Sequence, residues 1–142
     1  PFGIYLTEKS TIRAHAGFIL YKRGGKTVMR ITNIQGGRPI TALPRERITK
    51  SILKRMGKSS MHRVSAKLGE NWRLFLAKHL AEIAGKKGWE VEGGMPEKYY
   101  HNFAITEDED YRIQCEHYKT TYSKIGWRPG EDGIWRQKKD KL

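Results

Sequence analysis

The chain has 142 residues, with 28 Lys plus Arg against 15 Asp plus Glu, and a net charge of +13. Its one cysteine, Cys115, excludes an internal disulfide and a cysteine zinc cluster, and no apolar run approaches the ~18 residues of a membrane helix. No signal peptide is evident; the start at Pro1 is what a cleaved organelle-targeting peptide would leave, and equally what truncation would leave.

Pro1 to Leu6 reads as a short strand, and Thr7 to Gly17 as irregular and polar. A hairpin is predicted from about Phe18 to Ile34. Its two β-type runs flank Arg23-Gly24-Gly25-Lys26, where Gly-Gly supplies the positive φ of a tight turn. Gln35-Gly36-Gly37-Arg38-Pro39 breaks the pattern. A helix is expected from about Pro44 to Met56, with Thr41 as N-cap candidate, Pro44 in the first turn and Gly57 as its stop. Met61 to Leu68 alternates at Val64, Ala66 and Leu68 and is expected to be a strand. Gly69-Glu70-Asn71 leads into a second helix, about Trp72 to Lys86, with an apolar stripe of Trp72, Leu76, Leu80 and Ile83. Trp89 to Glu92 suits one further strand.

Gly93-Gly94-Met95-Pro96 reads as a linker and Glu107 to Asp110 as a solvated acidic loop. Tyr111 to Tyr118 alternates like a strand. Pro129-Gly130 and Asp132-Gly133 are turn dipeptides between Trp127 and Trp135. The fold class expected is α+β: a small mixed or antiparallel sheet with two helices on one face, plus a C-terminal aromatic-rich extension. Residues 1–89 form the expected basic α+β RNA-binding domain, and residues 90–142 the extension, with a strand pair.

The charge is lopsided. Residues 1–88 carry 19 basic and 4 acidic side chains, net +15; residues 89–142 carry 9 and 11, net −2. Solubility alone does not need such a distribution. A field of that size attracts polyanions and makes binding salt-dependent. An anionic membrane is the other such partner, but no strong basic amphipathic anchor is evident.

The RNA-contact candidates on the hairpin are Arg23, Gly24, Gly25, Lys26 and Arg30, since a glycine turn lets amides and flexible cations approach a phosphate backbone closely. Arg45, Arg47, Lys50, Lys54 and Arg55 form a second candidate surface on the first helix, where Glu46 is the only acid. Lys86 and Lys87 end the second helix, where structural capping is at least as good a reading as RNA contact. The extension's aromatics, Tyr99, Tyr100, Phe103, Tyr111, Tyr118, Tyr122, Trp127 and Trp135, could stack on bases. Packing in a satellite core or against a protein neighbour is the better reading for most of them.

None of His15, His62, His79, His101 and His117 has metal-like spacing, and no phosphate loop or dinucleotide turn is present. His117 with Glu116, Lys119, Thr120 and Tyr122 holds the ingredients of an RNase acid–base cluster. These are common residues in one short segment, so the chain is expected not to be an enzyme and to use no cofactor or metal.

The order of elements resembles the fold of eukaryotic translation initiation factor one. That family has a basic glycine turn followed by a Lys-Thr-Val/Leu-Thr strand, here Arg23-Gly24-Gly25-Lys26-Thr27-Val28 running to Ile34-Gln35-Gly36. Its Gly-acidic turn into the second helix corresponds to Leu68-Gly69-Glu70-Asn71, and the helix end to Gly85-Lys86-Lys87-Gly88-Trp89. One branch is more similar still, the mitochondrial large-subunit ribosomal protein forty-nine family. Pro1-Phe2, Ile4, Thr7, Ser10, Gly24-Gly25 and Gly88-Trp89 follow its order and approximate spacing. The resemblance covers about residues 1–89. It departs at Ala14-His15-Ala16-Gly17, where the family has Leu-Pro-Val-Tyr, and at Leu6, where it has Arg. Little room is left between Gly57 and Met61 for the extra strand usual after the first helix.

The resemblance implies a structural constituent of the mitochondrial large ribosomal subunit. Such a protein binds rRNA and neighbouring ribosomal proteins in the matrix, without catalysis and without a membrane. Two alternatives stay open: an initiation-type translation factor that binds the ribosome reversibly, and a basic RNase or toxin domain acting through His117.

Overall fold

A computed structural model of the chain describes residues 2–8, 11–36, 61–96 and 108–137. The three N-terminal strands are β1 (Phe2–Glu8), β2 (Thr11–Arg23) and β3 (Lys26–Gly36). Between β2 and β3 the chain reverses at Gly24 and Gly25, with φ of 58° and 80°. Two successive positive φ values define the mirror-image turn whose twist matches its flanking strands, and Arg23 pairs with Lys26 across it.

Helical residues 61–68 (α1) follow, then α2 (Trp72–Lys87) and β4 (Glu90–Gly93). Asn71 caps α2, its side chain accepting from the amides of Arg73 at 2.9 Å and Leu74 at 3.4 Å. Gly88, at φ 73°, closes the helix in the left-handed conformation, and the Trp89 amide returns to the Ala84 carbonyl at 2.8 Å. The chain ends with α3 (Asp108–Lys124), β5 (Trp127–Pro129) and β6 (Trp135–Gln137).

The strands make one six-stranded sheet in the order β1-β2-β3-β4-β6-β5. Only β3 and β4 run parallel; the other pairs are antiparallel, so the sheet is mixed and the class is α+β. The helices cover one face. Ala14, Ala16, Phe18, Met29, Ile31 and Ile34 of the sheet meet Met61 and Val64 of α1, Trp72, Leu76 and Leu80 of α2, and Tyr118 and Tyr122 of α3. Each helix presents an apolar stripe too narrow to be buried alone, and one side of the sheet takes all three.

Several expectations are corrected. The segment read as irregular, Thr7 to Gly17, supplies the end of β1 and half of β2, because its small Ala14 and Ala16 are core residues that let the helices approach. Residues 61–68 are helical, not a strand. Met61, Val64 and Leu68 lie at i, i+3 and i+7 toward the core, while Ala66, part of the apparent alternation, is exposed.

Tyr111 to Tyr118 is likewise helix. Its buried or half-buried positions continue through Tyr118, Thr121 and Tyr122 at helical spacing. Asp108 to Asp110 open that helix instead of forming a loop, and acidic residues favour a helix N-terminus. Gly93, Gly94 and Pro96 are buried, so they are not a linker. The helix expected over Pro44 to Met56 lies outside the described residues.

The boundary expected at residue 89 falls within this sheet. β4, β6 and β5 lie beyond it, and Tyr118, Tyr122 and Trp127 belong to the same core as the N-terminal strands. The aromatic-rich C-terminal part is there as expected, and its turn dipeptides do connect a strand pair, β5 with β6. Tyr118, Tyr122 and Trp127 fill the main core instead of a satellite one, and Trp135 packs against it; Tyr99, Tyr100 and Phe103 lie outside the described residues.

Candidate nucleic-acid interface

The strand alternation that sends Ile4, Leu6, Ala14 and Ala16 toward the helices sends Tyr5, His15, Ile19, Tyr21 and Arg30 to the other face. On that face Tyr5 and His15 are cross-strand partners with ring centroids 5.9 Å apart. Tyr5 is 59 % exposed, Ile12 50 % and Ile19 38 %. An aromatic and apolar surface thus runs along β1 and β2 up to the basic hairpin.

The hairpin's base is organised by one carboxylate. Glu92 on β4 is fully buried. Arg30, its cross-strand partner on β3, donates to Oε1 at 2.8 Å, Arg23 donates to Oε2 at 3.1 Å, and Arg136 from β6 donates to Oε2 at 3.2 Å. The Tyr21 hydroxyl also donates to Oε1, and the Arg30 guanidinium lies 5.1 Å from the centre of the Tyr21 ring. Burial pushes the Glu92 carboxyl up, but the hydrogen bonds from Tyr21, Arg30 and Arg23 outweigh it and hold the group below its ordinary range. Val28, the cross-strand partner of Tyr21, is fully buried but lies outside the main core.

The sequence-predicted residues divide accordingly. Gly24 and Gly25 form the turn. Lys26 projects from it, 73 % exposed, with Glu90 at 3.6 Å. Arg23 and Arg30 are on the same face but are shared with Glu90 and Glu92, so part of their charge is neutralised internally. Lys22, exposed beside the turn, donates to Thr27 Oγ1 at 2.7 Å. Arg45, Arg47, Lys50, Lys54 and Arg55 lie outside the described residues. Lys86 and Lys87 are exposed in the last turn of α2, and Lys86 pairs with Glu82 at 3.1 Å.

The RNase ingredients are divided, and only His117 and Thr120 line one cavity. Tyr122 is buried in the core with its hydroxyl on the Gly94 carbonyl at 2.8 Å, and Glu116 pairs with Lys119 at 3.5 Å. Arg73 also lines the cavity of His117 and Thr120. Among the described residues no group of His, Cys, Asp or Glu is placed to hold a metal, and no helix is long and apolar enough to cross a membrane. Sequence reading missed Glu92, Tyr21 and Arg136, whose convergence depends on the β3–β4–β6 order and has no local signal. Tyr5 and His15 left a trace as polar or aromatic residues between apolar ones. Comparison with family models, curated proteins and solved structures finds no match to this chain.

Proposed function

We propose that the chain is a non-catalytic RNA-binding protein, a structural constituent of the large subunit of the mitochondrial ribosome. The observation that carries the reading is the β2–β3 hairpin, which sets Lys22, Arg23, Lys26 and Arg30 on and beside a two-glycine turn. One buried carboxylate fixes the two arginines. A cation held by a buried partner is already ordered, so a phosphate contact costs it less side-chain entropy. The exposed Tyr5 and Ile19 beside it, with the half-buried His15, offer ring and apolar surface for unpaired bases. On this reading rRNA is the main partner, neighbouring ribosomal proteins contact the remaining surface, and the protein works in the matrix.

The test is RNA binding measured across a salt series. Lys22→Gln with Lys26→Gln removes exposed cations without touching the Glu92 cluster, and should lower the salt slope by about one per lost phosphate contact. Tyr5→Ala should weaken binding to unpaired RNA by about 1–3 kcal/mol. Unchanged slope and affinity in both variants would move the RNA surface elsewhere.

A further inference from the structure

α2 and α3 flank a half-open cavity of about 90 Å³ lined by Asn71, Arg73, Leu74, His117, Thr120, Thr121 and Lys124. Its chemistry is one-sided. Arg73 and Lys124 bring positive charge, and the cavity has no carboxylate in its wall. Two polar atoms there, Arg73 Nε and His117 Nδ1, are buried with no hydrogen-bond partner. Native structures leave few such atoms, and a bound water or ion is one way they are satisfied.

Arg73 is an unusual place for a cation. It occupies the first turn of α2, at the positive end of the helix dipole, where no acidic residue accompanies it. Its guanidinium packs 4.3 Å from the centre of the Trp72 ring, which holds it in place without neutralising it. Glu70, the nearest acid in sequence, is bound to Lys78 at 2.8 Å. Burial pulls Arg73 down to about 10. Burial also lowers the His117 imidazole, and the Arg73 charge lowers it further. Both shifts reflect a positive charge held partly out of water.

We propose that this cavity is a phosphate-binding site, in which Arg73 and Lys124 supply the charge and His117, Thr120 and the Asn71 amide nitrogen supply further donors. The helix amides take no part, because Asn71 Oδ1 already accepts from Arg73 and Leu74. Thr121 is occupied as well, its hydroxyl donating to the His117 carbonyl at 2.8 Å. Arg73 provides the planar fork that matches a tetrahedral oxyanion. The site uses different elements from the hairpin and stands whether or not the hairpin binds RNA. Its phosphate can come from an RNA backbone or from a free phosphate.

Titration of the isotope-labelled full chain, followed by amide and histidine resonances at constant ionic strength, tests the site. One arm uses inorganic phosphate against chloride, and the other a single-stranded RNA without terminal phosphates. Phosphate should move the amides around Arg73 and Thr120 to Lys124 and raise the His117 pKa. If the RNA moves the same amides, the backbone is the source; if inorganic phosphate alone does, the source is a free phosphate. Arg73→Met keeps the packing on Trp72 and should weaken binding about ten-fold. Lys124→Gln, at an exposed position, tests the charge without touching the core and should weaken it several-fold. A response no larger than that to chloride in both arms overturns the proposal, as does undiminished affinity in both variants.

Discussion

The Tyr122 ring on α3 lies flat against Gly93 on β4, and its hydroxyl donates to the Gly94 carbonyl at 2.8 Å. A Cβ at position 93 would stand 2.5 Å from the Tyr122 ring, closer than real contacts allow. The same ring stacks on Trp127, with centroids 5.4 Å apart. One tyrosine thus holds β4, α3 and β5 together.

Gly93→Ala therefore forces Tyr122 out of place and should cost about 2–3 kcal/mol. Tyr122→Phe keeps the ring but leaves the Gly94 carbonyl without its partner, at about 1 kcal/mol. Chemical denaturation of both variants checks the order. A Gly93→Ala protein as stable as the parent would mean that the ring does not pack there.

A chain ending after Trp89 should fail to fold. It loses β4, which covers β3, and also Tyr118, whose hydroxyl donates to the Ile34 carbonyl and accepts from the Ile34 amide. Circular dichroism and thermal melting check this. A cooperative melt of the truncated protein would show that the N-terminal hairpin and α2 form a core of their own.

Glu92→Gln should destabilise by about 2 kcal/mol, below the full cost of breaking a buried pair because its arginine partners are partly solvated. Since the folded state holds the Glu92 carboxyl below its ordinary value of 4.5, its contribution is present above that pH and fades as the pH falls through the lowered folded value. Acid unfolding should thus be shallower in Glu92→Gln. Identical acid profiles would remove the carboxylate from the account.

Histidine titration acts in a higher window. Burial lowers both His15 and His117 from 6.5, so below that pH the unfolded chain binds more protons than the folded one. Stability should rise with pH up to about 6.5 and then level from these groups. His15→Asn with His117→Asn should flatten the rise when unfolding free energy is measured at stepped pH. A rise of unchanged steepness would assign it to other groups.

The parts of the fold that were legible in the sequence carry their own local chemistry. Gly24-Gly25 announces the hairpin turn, Asn71 and Gly88 bracket α2, and Trp72, Leu76 and Leu80 mark its buried side. The misread parts are those where two periods compete over a short stretch. Val64 and Leu68 fit a strand and a helix equally, and only contact with the sheet decides. In α3 the stripe becomes unambiguous only when Thr121 and Tyr122 are read with Tyr118. For the candidate site, the exposed lysines were legible as charge. Glu92 was not, because β4 and the Arg136 strand reach the hairpin's two arginines only through the sheet order.

Gradient fractionation of mitochondrial ribosomes carrying a tagged copy of this chain decides the proposed ribosomal role. The protein should stay with the large subunit through a high-salt wash, in a fixed ratio to the particle. Release to the top of the gradient, or transient association with the small subunit alone, would contradict it.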